Sequence, residues 1–594
     1  MQPSTIHPSM RMTLPMASQL PPAYDPVNGD ERPWYRYYGP GVPHAIEPAH
    51  EASLGEMVAE AARNHGDKVA FSNLGGTLTF RDVDRLATRF AAFLQHDLGL
   101  DKGDRIVIQM PNLLQYPVAL YGALRAGLIV VNANPLYTAR EMEGVFRDAE
   151  PKAIVVLANF ADKVAEIVAD TTIEHVIVTQ VGDLLKQPKK AITNFVAAKV
   201  KKMVPDYDLP QAISFTKAMA AGAHERLTDP GLTHDDVAFL QYTGGTTGGG
   251  AKAAVLTHGN LLANQDQFMA QIRNTLGEER QSVIIAALPL YHVFSLTVNC
   301  IGFFRFGSHN VLITNPRDLG GFVKTLGAVK PDGLILVSTL AGALLDADGF
   351  KDIDFGRLRL TVGGGMAVRS SVSDRWKAVT GHDITEGYGL TEASPVVSVN
   401  PTHVPPRIGT IGVPLPSTDV RIVDDEAKPL PLGERGELAV RGPQVMQGYW
   451  NNEAETRRVL TEDGWLLTGD VAIEDEDGFF RIVDRKKEII VCGGFNVYPG
   501  EIEDAAMLHP GVVEAGAIPI PNEHSGEVPK LFVVRRDDSL DEATLRAFLK
   551  ESLTGYKRPR EIEFIDVLPK NNVGKVLRRE LRELEASRHE GADA

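Results

Sequence analysis

The chain has 594 residues, more than one ordinary core holds, so two or more domains are expected. A hydrophobic fraction of 43% and a charged fraction of 23% are those of a soluble globular protein, and a net charge of −16 argues against non-specific nucleic-acid binding. The two cysteines, Cys300 and Cys492, exclude a disulfide framework or a cysteine-rich metal site and suit a reducing cytoplasm.

Pro3, Pro8 and Pro15 interrupt the start of the chain, which reads as a loose tail rather than a secretory signal. From Asp101 the pattern alternates: strand Arg105–Gln109, helix Leu113–Arg125, strand Leu128–Val131, helix Ala139–Asp148, then strands Ala153–Leu157 and His175–Val178. Short apolar runs alternating with helical stretches imply βαβ units, hence an α/β fold with parallel sheet that binds ligands beyond the carboxyl ends of its strands. Between Pro188 and Pro205, Lys189, Lys190, Lys199, Lys201 and Lys202 surround Ile192, Phe195, Val196, Val200 and Met203 at roughly helical spacing. Such a helix either packs on its own domain or lies on an anionic membrane surface.

The most informative stretch runs from Thr243 through Gly244, Gly245, Thr246, Thr247, Gly248, Gly249, Gly250 and Ala251 to Lys252, between the strand-like Val237–Tyr242 and Ala253–His258. Glycines let backbone N–H groups approach a ligand, threonines add hydroxyl donors and the lysine adds charge, which suits a polyphosphate. It is not a Walker A loop, because Gly250 is followed by Ala251-Lys252-Ala253.

Val283–Phe304 carries no Asp, Glu, Lys or Arg and is long enough to span a membrane, but Pro289, His292 and Asn299 interrupt it; a buried soluble element is expected. Gly363-Gly364-Gly365 follows a strand candidate. Tyr388-Gly389-Leu390-Thr391-Glu392 offers a carboxylate for Mg²⁺ beside a hydroxyl for phosphate. Asp470 in Thr468-Gly469-Asp470 can accept from sugar hydroxyls. The texture changes at Asp484-Arg485-Lys486-Lys487, which suggests a tail and lead-in over 1–50, a large domain over 51–484 and a small lid domain over 485–594. No Gly-x-Ser-x-Gly elbow and no His-Glu-x-x-His site occurs.

In this order the motifs resemble those of the adenylate-forming synthetases, over roughly Leu54 to Leu581. The Gln-Tyr-Thr-Gly-Gly-Thr-Thr form of the loop and the early Arg32–Tyr38 segment look like bacterial long-chain fatty-acid–CoA ligases. The resemblance implies a large domain of parallel sheets flanked by helices and a small α+β domain that rotates about a hinge at Asp484. It implies ATP, Mg²⁺ and coenzyme A as cofactors, with a fatty acid as substrate. Gly364, Gly365, Tyr388 and Gly389 would line the adenine site, Thr391 would meet the α-phosphate, and Glu392 would hold the metal. Asp470 and Arg485 would hold ribose, and His292 would gate the substrate carboxylate. Lys575, in Leu568–Lys575, would be the catalytic lysine, and Gly493, Gly494 and Phe495 would guide pantetheine.

Departures from the pattern are the extra glycine of Gly249-Gly250, Ala253 where glycine is usual, and the Leu334–Leu340 segment. The extra glycine is either absorbed as slack or, through added loop entropy, raises the Michaelis constant for ATP. Aryl- or short-chain ligases, a non-catalytic binding relative and a membrane transporter are the rival readings. The expected location is the cytoplasm, with peripheral contact at the inner membrane surface and a homodimer both left open.

Overall fold

The computed structural model describes residues 32–243, 252–277, 279–522, 524–571 and 574–592. Among these, the strands form four sheets, of nine, seven, four and five strands. The seven-stranded sheet grows from the alternating region. Ala153–Leu157, buried along its whole length, lies parallel between Arg105–Gln109 and His175–Thr179. A strand of only Ala, Ile, Val and Leu needs cover on both faces, which a parallel sheet between helices provides. The helix Ala139–Ala149 enters through a capping box in which Thr138 N donates to Glu141 Oε2 at 2.7 Å. At the sheet edge Val237–Thr243 and Lys252–Thr257 form an antiparallel pair.

The nine-stranded sheet absorbs the uncharged segment. Val283–Ala286 is an interior parallel strand between His309–Leu312 and Gly333–Leu336, and Leu296–Phe303 is a fully buried wide helical turn. No helix among the described residues is long and apolar enough to cross a membrane. The lead-in is seated on this body: the turn Pro33–Tyr37 buries Trp34 completely, and Tyr37 meets Phe479 edge-on at 4.8 Å.

The four-stranded sheet ends in Phe480–Arg485, so Asp484 and Arg485 are strand residues. A distinct apolar core, formed by residues from Ile490 to Leu581, follows in a mixed sheet with helices Pro499–Met507, Glu542–Ser552 and Arg578–Ala592. The chain is thus a large α/β body with parallel sheets flanked by helices and a small α+β body after it.

Candidate active site

Thr243 pairs across the hairpin with Lys252, and its hydroxyl donates to the Lys252 carbonyl at 3.3 Å. Both ends of the glycine-rich segment are therefore pinned together. Gly244, Gly245, Thr246, Thr247, Gly248, Gly249 and Gly250 lie outside the described residues. The Lys252 ammonium bonds to the Glu455 carboxylate and stands 5.5 Å from the centre of the Tyr449 ring. Tyr449 in turn donates its hydroxyl to Glu392 Oε1 at 2.7 Å.

Thr391 and Glu392 open a short turn directly after the strand Thr385–Gly389. Gly389 is required at that exit, because a Cβ there would stand 2.3 Å from the Pro395 carbonyl. On the same strand Tyr388 donates its hydroxyl to Asp470 Oδ2 at 2.5 Å. Burial, then the Asp470 charge, holds the Tyr388 phenol well above its ordinary range, so it remains a donor. Cross-strand pairing sets Arg485 beside Asp470, with Nε 2.6 Å from Oδ1.

Lys575 reaches this cleft from the small domain. Its side chain is exposed to solvent. Desolvation by the surrounding protein, followed by the Arg485 charge, pushes its ammonium down to about 8; Asp470 acts the other way. Gly574 lets the segment approach: at φ +85° its Cβ would stand 2.4 Å from Thr339 Oγ1 of the large domain. Lys487 is a further cation here, its pKa lowered first by burial and then by Arg485, Arg582 and Lys252.

His292 caps the short helix Val293–Ser295, its Nδ1 accepting from Phe294 N at 3.4 Å. Burial pushes the imidazole down to about 4, so it is neutral at pH 7. The Phe294 ring lies against Gly364, where an added Cβ would be 3.0 Å away from it and 3.4 Å from the Gly387 carbonyl. Gly364 therefore joins the His292 segment to the Tyr388 strand, and Gly365 next to it turns at φ +75°. Beside them Glu386 is buried, accepts Val368 N–H at 3.2 Å, and is pushed up to about 7 by burial.

Gly493 and Gly494 make the tight turn between Ile490–Cys492 and Phe495–Val497, with φ of +58° and +84°. Exposed Phe495 stacks on Tyr556 of the small domain at 4.7 Å. This hairpin stands apart from the cleft residues. Buried Asp484 accepts from Gly500 N at 2.6 Å and from Arg578 Nη1 at 3.1 Å, which pins the junction between the two bodies.

Lys252, Tyr388, Glu392, Asp470, Arg485 and Lys575 are thus gathered into one cleft, with Thr391 next to Glu392 in the chain, and the His292 segment reaches the Tyr388 strand through Phe294 and Gly364. Tyr449, Glu455, Lys487 and Glu386 were not singled out from the sequence. Each owes its place to a partner far along the chain or to burial; Lys487 was read only as part of the charged run that begins at Asp484. Among the described residues no three His, Cys, Asp or Glu side chains gather into a metal cage. Glu392, a half-buried carboxylate with one oxygen on Tyr449, fits Mg²⁺, which takes one or two carboxylates together with substrate phosphates.

Two bodies meeting at a cationic cleft, with a carboxylate near the loop lysine, describe a nucleotide-using enzyme. The chain belongs to the AMP-binding enzyme family: that family matches residues 58–450, and the AMP-binding enzyme C-terminal domain matches residues 501–575. It is 50% identical over 550 residues to the long-chain-fatty-acid–CoA ligase of Escherichia coli, covering 93% of this chain and 98% of that protein. The Bacillus subtilis ligase of the same name is 37% identical over 563 residues, covering 94% and 99%. Among solved structures, ATP-bound MatB from Rhodopseudomonas palustris gives a TM-score of 0.75 at 29% identity, covering 89% of this chain and 98% of that one. The anthranilate CoA ligase AuaEII with anthranoyl-AMP gives 0.77 at 26% identity, covering 90% and 98%.

Proposed function

We propose that the chain is an AMP-forming acyl-CoA synthetase that joins a long-chain fatty acid to coenzyme A through an acyl-adenylate. The observation that carries this reading is the gathering of Lys252, Glu392, the Tyr388–Asp470–Arg485 triplet and Lys575 in one cleft. Support for the acid comes from the relatives, which are long-chain-fatty-acid–CoA ligases along nearly their whole length.

In the first step a carboxylate oxygen bonds to the ATP α-phosphorus, and the bond to pyrophosphate breaks with its electron pair leaving on pyrophosphate. Lys252 and the backbone of its loop would hold the β- and γ-phosphates. Thr391 would donate to the α-phosphate, Glu392 would hold Mg²⁺, Asp470 would accept from the ribose hydroxyls, and Arg485 would donate to them. Mg²⁺ supplies neutralisation of the polyphosphate charge when bound. Gly364, Gly365, Tyr388 and Gly389 would line the adenine site, and neutral His292 would stand where the acid's carboxylate enters.

Lys575 adds a positioned cation at the reacting oxygen; with a pKa near 8 it is mostly charged at pH 7. In the second step the small domain turns about Asp484 and withdraws Lys575. The hairpin carrying Gly493, Gly494 and Phe495 then guides the thiol, which gives up its proton to solvent as its sulfur bonds to the acyl carbon and AMP leaves with the electron pair of the broken acyl–oxygen bond. Closure in both orientations keeps water from the mixed anhydride.

A membrane surface suits such a substrate. The helix Lys189–Phe195, prolonged through Val200, is bonded to its own domain on its polar side: Asn194 Oδ1 accepts Gly182 N at 2.7 Å and Lys190 meets Asp183 at 3.6 Å. Its apolar side faces out, with Ile192, Phe195 and Val200 exposed by 58%, 61% and 63%. Peripheral contact with the anionic cytoplasmic membrane face is the role we assign to it.

Lys575→Ala tests the reading directly. It should suppress carboxylate-dependent ATP–pyrophosphate exchange by roughly a hundredfold or more while sparing thioester formation from supplied acyl-adenylate. Equal losses in both half-reactions would refute the role given to Lys575. Absence of exchange with every fatty acid in the unaltered protein would refute the ligase reading.

A further inference from the structure

Lys252 is held by a second residue whose purpose the reaction above does not explain. Glu455 lies in the first turn of the helix Glu453–Val459, its backbone N–H capped by Asn452 Oδ1 at 3.1 Å, so its place is fixed. Its carboxylate takes the Lys252 ammonium, and both side chains are largely withdrawn from solvent, with exposures of 17% and 23%. The same carboxylate is gripped by the Arg458 fork, Nε to Oε2 at 2.9 Å and Nη2 to Oε1 at 2.6 Å. One anion therefore serves two cations.

We propose that Glu455 is a docking position for Lys252 that competes with the ATP polyphosphate and with pyrophosphate, and so sets the affinity of the cleft for both. This rests on the reading of Lys252 as a phosphate ligand. Three features argue for competition rather than simple structural pairing. The docked ammonium lies beside Tyr449, whose hydroxyl is on Glu392, so it waits next to the carboxylate assigned to the metal. The cleft also holds Lys487 and Arg485, and Lys487 feels both Lys252 and Arg485. Beside these cations Glu455 supplies negative charge of the kind that a polyphosphate would bring. Finally, when Lys252 leaves, Arg458 keeps Glu455 neutralised. A half-buried carboxylate with one partner would be costly to strand, whereas one with a spare fork is not. Return of Lys252 to Glu455 would then help to expel pyrophosphate.

The test is steady-state kinetics and pyrophosphate product inhibition on the full chain. Glu455→Gln should lower both the KM for ATP and the pyrophosphate inhibition constant by roughly three- to tenfold, with a smaller change in kcat. Arg458→Met, which leaves Glu455 more dependent on Lys252, should move both constants the other way. A loss of folding would not give opposite shifts from neighbouring residues. In a Lys252→Met background, Glu455→Gln should shift neither constant. A raised KM in Glu455→Gln, no shift at all, or the same shift persisting without Lys252, overturns the inference. If Lys252→Met alone leaves the KM for ATP unchanged, the phosphate reading of Lys252 falls and takes this inference with it. An inert Glu455→Gln beside a Lys252→Met that weakens ATP removes only the inference.

Discussion

Glu386 begins in the sequence as an unremarked neighbour of Tyr388. In the fold its carboxylate is turned into protein next to the glycine turn, with Val368 N–H as its donor at 3.2 Å. Burial raises it to about 7 from an ordinary 4.5. Between those values the folded chain holds this proton and the unfolded chain has released it. The folded state therefore binds more protons there, and stability falls as pH rises through the window. The full effect of this one group is on the order of 3 kcal/mol, reached above pH 7. Denaturant titrations at several pH values should show stability declining from about pH 5 to about pH 7, and Glu386→Gln should flatten that slope. Parallel slopes in the two proteins would show that Glu386 is ionised in the fold. His292 moves in the opposite direction for the same physical reason: the charged form is the one that burial disfavours, and for imidazole that lowers the pKa.

At the level of elements, the helix Lys189–Phe195 makes the sharpest prediction. A surface helix ordinarily turns its apolar stripe inward, but here Asn194 and Lys190 face the domain while Ile192 and Phe195 face out. Exposed Lys186, Lys189, Lys199, Lys201 and Lys202 lie along the same stretch, a local basic patch on a chain of net charge −16. Ile192→Glu with Phe195→Glu should reduce co-sedimentation with anionic vesicles by about tenfold or more and leave ligase activity on a soluble acid nearly unchanged. Binding that persists in the double variant, or that ignores lipid charge, would place membrane contact elsewhere. The sequence made this stretch legible as basic and amphipathic, but not which side would face the domain, because that depends on Gly182 and Asp183 meeting Asn194. Strands were easier: Ala153–Leu157 is a run of apolar residues that only a doubly covered strand accommodates, and its bounds match the expected ones. Motifs such as Tyr388–Glu392 were readable because the chemistry is written in consecutive residues. The bonds that assemble the cleft were not: Tyr449 meets Glu392 across 57 positions and Lys252 meets Glu455 across 203. Only the register and connection of sheets decide such meetings.

For the whole molecule, the question is what keeps the small body in the orientation that brings Lys575 to the cleft. The two apolar cores are distinct, one ending at Phe480 and the other starting at Ile490. Polar contacts cross between the bodies. Arg435 Nη1 lies 2.8 Å from Glu501 Oε1 and its guanidinium stacks over Tyr498 at 5.2 Å, while Arg369 Nη1 donates to the Val513 carbonyl at 3.4 Å. Half-exposed ion pairs are each worth about 0.2–1 kcal/mol and are screened by salt. Beyond the hinge, where Asp484 keeps its bonds to Gly500 and Arg578, the orientation is therefore held weakly enough to be exchanged for another, as a two-step reaction requires. At saturating ATP and fatty acid, raising salt from about 0.05 M to about 0.5 M should slow adenylate formation by roughly two- to fivefold, and thioester formation from supplied acyl-adenylate by less. Arg435→Ala should reproduce that loss at low salt and make the remaining salt dependence shallower, because the Arg435–Glu501 ion pair is then already gone. If both half-reactions respond to salt alike, or if Arg435→Ala changes neither, the orientation is fixed by something other than these contacts, and its exchange cannot be what separates the two steps.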